Sequence, residues 1–200
     1  MDNDHFSKYQ IILASKSPRR HYLLKELGIH FDVQAKEVDE SFPADLIGQE
    51  IPLYLCRKKA DAFLGMKENS IVITADTIVW INGQALNKPR DHEEAAEMLR
   101  TLSGKCHEVF TGVCLKSKLK TVSFFSRTKV FFKILSGSEI EYYITNYKPY
   151  DKAGGYGAQE WIGYIGIERI EGSYFNVMGL PLKELYEHLI TFVNQEINSP

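Results

Sequence analysis

Apolar positions in this chain fall into two patterns: short unbroken runs, and stripes spaced three and four residues apart. The first predicts strands and the second helices. Ile11 to Ala14 is a short run that reads as a buried strand, and Ser17-Pro18 then opens a helix marked by Leu23, Leu24 and Leu27 and stopped by Gly28. Phe31 to Ala35 reads as a second strand. An acidic connection, Val38-Asp-Glu-Ser-Phe-Pro, precedes a helix over Ile51 to Phe63. Ser70 to Trp80 is the clearest strand, rich in β-branched residues and interrupted by one carboxylate, Asp76. After the turn at Asn82-Gly83, Asp91 with Glu94 at capping-box spacing starts a helix whose stripe is Ala95, Met98, Leu99 and Leu102.

The second half continues in the same manner. Cys106 to Leu115 and Thr121 to Ile134 predict two long antiparallel strands joined through Lys116 to Lys120, supplying much of a central sheet. Ser138, with Glu141 three residues on, predicts a helix that ends near Tyr147, before Pro149. A glycine-rich connection, Asp151 to Gln159, lets backbone approach a ligand closely, although an ordinary turn has the same composition. Leu182 to Phe192 closes the pattern as an amphipathic helix. No internal repeat or low-complexity linker interrupts it.

Composition narrows the class. The 200 residues, 44% hydrophobic and 25% charged, suit one globular unit with a sizeable core, and a net charge of −2 disfavours capture of long nucleic acid. The polar segment 1–9 is expected to be flexible. No leader or membrane-spanning run follows it, which predicts a cytoplasmic protein with no membrane partner. Cys56, Cys106 and Cys114 are too scattered for a disulfide scaffold or a zinc site and are expected as free thiols.

Several side chains carry candidate chemistry. A strand, a serine turn and a helix start bearing Arg19 and Arg20 present N–H groups and guanidinium forks, a combination suited to phosphate. Asp76 inside an apolar strand needs a cation, a donor network or water, so a structural salt bridge and a reactive carboxylate are both open. Glu40 reads alone as a surface carboxylate, and together with Asp76 as a ligand for Mg2+. Lys59 and Lys88 are able to neutralise phosphates or simply face solvent. Gln159 has the donor and acceptor to read a base edge, or to bond its own loop. His107 reads as a sheet-edge histidine. Neither a dinucleotide-binding glycine motif nor a Walker phosphate loop is present.

The order of Ser15-Lys-Ser-Pro-Arg-Arg, Val38-Asp-Glu, Lys59-Ala, Ala75-Asp-Thr, Asn87-Lys-Pro, Asp151-Lys-Ala-Gly and Asn176-Val-Met-Gly-Leu-Pro resembles the Maf family over nearly the whole chain. That resemblance implies an α/β fold over residues 1–200, with a mixed central β-sheet flanked by helices and a cleft between two lobes. The shape would be related to that of inosine triphosphate pyrophosphatases. It implies a nucleotide pyrophosphatase that releases a monophosphate and pyrophosphate. Asp76 would be the proton acceptor, Glu40 and Asp76 would hold Mg2+, or Mn2+ in its place, and Ser15, Arg20, Lys59 and Lys88 would line the phosphate cleft. Arg19, Thr77 and Gln159 match positions linked to substrate choice in the branch similar to dTTP/UTP pyrophosphatases, and a homodimer is implied. Lys16 and Glu160 depart from the small residues or glycine common in the family. A 7-methyl-GTP or broad noncanonical specificity, or a nucleotide-binding regulator of cell division, are the alternatives to that substrate.

Overall fold

The computed structural model describes residues 6–197 and places a seven-stranded mixed sheet between layers of helices. Strand β1 (Gln10–Leu13) runs parallel to both β2 (Asp32–Val33) and β3 (Ser70–Ile81). Strands β5 (Cys106–Lys116), β6 (Thr121–Phe132) and β7 (Ile167–Glu171) continue antiparallel from β3, giving the order β2-β1-β3-β5-β6-β7. The short β4 (Gln84–Leu86) folds back on β3 through Asn82 and Gly83, whose φ values of 53° and 78° suit a two-residue hairpin.

This pairing leaves a gap. On one edge β3 pairs with β1 through Ser70–Ile73 and with β4 through Val79–Ile81, so residues 74–78 between them have no strand neighbour on that side among the described residues. Asp76 lies in this stretch, with its opposite edge paired to Gly112 of β5.

Alternation along β3 sorts its side chains between the two faces. Thr74 and Ile78 face helix α2 (Glu50–Asp61), where Thr74 Oγ1 donates to the Cys56 carbonyl at 2.6 Å and Ile78 packs with Ile51 and Leu55. On the other face, Ile71, Ile73 and Ala75 join a core with Leu23 and Leu24 of α1 (Pro18–Glu26) and Leu185 and Leu189 of α7 (Leu182–Ile197). Val79 and Ile81 join a separate core with Leu99 and Leu102 of α3 (His92–Leu102) and Tyr143 and Ile144 of α4 (Gly137–Tyr147). Thr77 stands between these two cores, its hydroxyl 2.9 Å from that of Thr111.

Some elements differ from expectation. Helix α2 starts and ends one or two residues earlier than its apolar pattern suggests, and β2 contracts to the two residues that the four-residue β1 can pair. The cap of α4 is Ser136, two residues before Ser138. Ser136 Oγ accepts from Glu139 N at 3.2 Å and the Glu139 carboxylate accepts from Ser136 N at 2.8 Å, a reciprocal capping box. His107 is not on an edge strand, because β5 lies between β3 and β6; it pairs with Val130 of β6, one residue beyond the last β3 pair at Glu108, and is 1% exposed. Two helices the apolar pattern did not mark, α5 (Trp161–Gly166) and α6 (Tyr174–Val177), are too short to show a helical period. Of segment 1–9, residues 1–5 lie outside the described residues, and Phe6 is buried edge-on against Tyr186. The three cysteines are free thiols.

Candidate active site

A cleft of about 680 Å3 opens at the gap in β3, and Ser15, Arg19, Arg20, Glu40, Lys59, Asp76, Thr77, Lys88 and Gln159 all line it. Asp76, 8% exposed, forms its floor. Its Oδ1 is 2.5 Å from Lys59 Nζ, which α2 delivers across the sheet face. The same ammonium is 2.8 Å from Glu40 Oε1, and Glu40 Oε2 is 3.1 Å from Lys88 Nζ, so cations and carboxylates alternate along one wall. Partial burial of Glu40 would raise its pKa, but the hydrogen bond and charge of Lys59, with Lys88 behind it, bring it down to about 2.

Arg20 is held differently. Its Nε donates to the Gly179 carbonyl at 2.8 Å, Nη1 to the Ala75 carbonyl at 2.7 Å and Nη2 to Thr77 Oγ1 at 3.0 Å. Burial lowers its pKa from the ordinary guanidinium value, against the pull of nearby Asp76. Neutral acceptors hold three of its N–H groups and fix its plane, which leaves further N–H donors for an anion in the cleft. Ser17 stands at the N-cap of α1 with Pro18 after it but makes no side-chain cap bond, leaving the positive end of the helix open near Ser15 and the arginines. Ser15 Oγ accepts from Ser17 N at 3.1 Å, which fixes the turn.

On the opposite wall Arg19 Nη1 pairs with Asp151 Oδ2 at 3.0 Å, joining α1 to the glycine-rich connection. Gln159 ends that connection, and its Oε1 is buried without a hydrogen-bond partner. A buried acceptor left open in this way is costly, and a ligand donor would satisfy it.

Residues 10–192 match the model of the family described as Maf-like protein. This chain belongs to the Maf family. Its relatives include proteins named dTTP/UTP pyrophosphatase from Bacteroides thetaiotaomicron, 55% identical and covering 91% of this chain and 95% of that protein, and from Flavobacterium johnsoniae, 48% identical and covering 96% and 100%. The similarly named protein of Porphyromonas gingivalis is 51% identical, covering 94% and 97%. Among solved structures, the Staphylococcus aureus Ham1 protein aligns with a TM-score of 0.49 at 15% identity, over 94% of this chain and 99% of that one.

In this Maf protein the sequence pattern singled out Asp151-Lys-Ala-Gly without giving its two charged residues a role. Lys152 is 7% exposed, with Nζ 2.7 Å from Asp151 Oδ1 and 3.1 Å from Glu160 Oε1, and so ties the base of the connection to its end. Adjacent opposite charges at the start of a glycine-rich stretch were the available signal. No helix among the described residues is long and apolar enough to cross a membrane.

The Maf cleft also contains two carboxylates of the kind that a divalent cation uses. Among the described residues no three His, Cys, Asp or Glu side chains form a metal-ligating group. Glu40 and Asp76 nevertheless converge on a single cation, the Lys59 ammonium, and Mg2+ is commonly held by one or two carboxylates with water and substrate phosphates completing its shell. Two hard oxygen donors around one point fit that pattern.

Proposed function

We propose that this Maf protein hydrolyses dTTP and UTP to the nucleoside monophosphate and pyrophosphate, with Asp76 as proton acceptor. The observation that carries the reading is the placement of Asp76: a carboxylate at the floor of a sheet gap, ringed by Lys59, Arg20 and Lys88 inside one cleft. Relatives about half identical over nearly their full lengths bear the name of this activity, which supports the same substrate.

In this reading the triphosphate lies along the cationic wall. Asp76 takes a proton from water as its oxygen bonds to the α-phosphorus. The bond from that phosphorus to the bridging oxygen of the β-phosphate breaks, and the electron pair leaves with pyrophosphate. Lys59, Lys88 and Arg20 stabilise charge as it moves onto the phosphate oxygens. Mg2+, or Mn2+, held by Glu40 and Asp76, would supply Lewis-acid stabilisation of the leaving pyrophosphate. The open Gln159 oxygen can accept the ring N3–H of uracil or thymine, at a position where cytosine has a bare ring nitrogen and carries its N–H donors on the exocyclic amino group instead. The same reading takes the enzyme as a cytoplasmic homodimer, an assembly that light scattering on the purified protein would check.

Product-resolved hydrolysis of dTTP, UTP and 7-methyl-GTP tests the proposal. Monophosphate and pyrophosphate from dTTP or UTP, falling by about 10²- to 10⁴-fold in Asp76→Asn, is the expected result. Dominant turnover of 7-methyl-GTP would replace the substrate, and no turnover of any of the three would favour a nucleotide-binding regulator.

A further inference from the structure

Glu160 closes the glycine-rich connection directly after Gln159, and the structure gives its carboxylate specific partners. Oε1 is 3.1 Å from Lys152 Nζ, and Oε2 accepts from the hydroxyl of Tyr143, a fully buried residue of α4. The Tyr143 oxygen in turn accepts from Gly157 N at 3.0 Å. One carboxylate thus grips the glycine-rich connection at both Lys152 and Gly157. The fit is close, since a Cβ at Gly157 would stand 2.8 Å from Glu160 Oε2 and 3.1 Å from Gln159 Nε2. Gln159 lies inside this grip, its carbonyl accepting from Tyr164 OH at 2.5 Å while its side-chain Oε1 has no partner.

We propose that Glu160 is a positioning residue for base selection. Through Tyr143 and Lys152 it holds residues 157–159 so that the Gln159 amide oxygen meets the ring N–H of uracil or thymine. The inference rests on the uracil and thymine reading above. Glu160 touches no reacting atom. Its loss is therefore felt in KM and in the choice of base, whereas loss of Asp76 is felt in kcat. The network continues from Lys152 through Asp151 to Arg19, so the base wall and the start of α1 are joined by charge-assisted bonds.

The test compares kcat/KM for UTP and CTP in the wild type, Glu160→Gln and Tyr143→Phe, with thermal melting as the check on folding. Both variants are expected to raise KM for UTP by about tenfold, to keep kcat within about twofold, and to reduce the UTP/CTP preference by about tenfold. Tyr143→Phe keeps the ring and removes the link to Gly157, so it tests the same grip should Glu160→Gln fail to fold. An unchanged UTP/CTP ratio in a folded variant overturns the proposal, even if both rates fall together. A wild-type enzyme with no preference for UTP over CTP would instead defeat the uracil and thymine reading on which it stands.

Discussion

Gly112→Ala probes how the close approach of α2 to the sheet supports the site. Gly112 pairs with Asp76 across β3 and β5, and its Cα faces the first turn of α2. A Cβ there would stand 2.4 Å from the Pro52 carbonyl oxygen, 2.5 Å from its carbon and 2.7 Å from Leu53 N. All three are backbone atoms, so no side-chain rotation relieves the clash. Reaching the ordinary contact distance of 3.4 Å requires α2 to lift by about 1 Å, taking Lys59 away from Asp76 and Glu40. Overpacking of this kind costs about 1–3 kcal/mol, and an ångström of misplacement at a reacting centre about 10²-fold in rate. Urea denaturation should show a lower midpoint with an unchanged m-value, and pyrophosphate release from UTP should slow by about two orders of magnitude. Wild-type stability and rate in Gly112→Ala would refute the reasoning. A destabilised variant with full activity would show that the seating of α2 supports the fold but not the placement of Lys59.

Two further predictions concern charge. Burial pushes the His107 pKa down to about 3, while its Nε2 lies 2.7 Å from Tyr156 OH. The unfolded chain therefore binds this proton first: the stability contribution is full above the unfolded pKa near 6.5 and is lost, by about 1.4 kcal/mol per unit, as pH falls from there toward 3. His107→Gln should flatten the decline in urea midpoints between pH 7 and 5, and an equal slope in both proteins would contradict it. Because the Lys59 ammonium occupies the point where Glu40 and Asp76 converge, nucleotide-free Lys59→Met should bind Mn2+ at least about tenfold more tightly than the wild type by calorimetry. Equal affinity would mean that the ammonium does not compete for this position.

What was legible in the chain depended on range. Ser70–Ile81 and the paired β5 and β6 were visible because β-branched runs report strands locally, and Asp91 was visible because its side chain does accept from Glu94 N at 2.9 Å. Ser136 and Ser138 each have a glutamate three residues on, so local chemistry admitted both caps. Only the extended backbone of Ser136, at φ −76° and ψ 157°, separates them. His107 was misplaced because the neighbours of a strand are a nonlocal property: nothing between Cys106 and Lys116 says that β3 and β6 lie on either side. The gap at residues 74–78 was equally hidden, since it arises from the lengths of β1 and β4 and not from β3 itself. The candidate residues could be collected from motifs, but their grouping around Lys59 required the fold.

That grouping divides the cations of the cleft by how they are held. Lys59, Lys88 and Arg19 are paired with Glu40, Asp76 and Asp151, and in the proposed reaction each would exchange a carboxylate for a phosphate when a triphosphate enters. Flexible lysine stems suit such an exchange. Among the described residues Arg20 has no hydrogen-bonded carboxylate to release: two carbonyls and a hydroxyl hold three of its N–H groups, and Asp76 acts on it only through space. Arg20 and the open start of α1 are therefore among the positive groups lining the cleft that the described residues do not tie to a carboxylate by a hydrogen bond. An aspartate is tolerated within this sheet because its strand edge opens into a cleft, where the Lys59 ammonium meets it at 2.5 Å, instead of into a core.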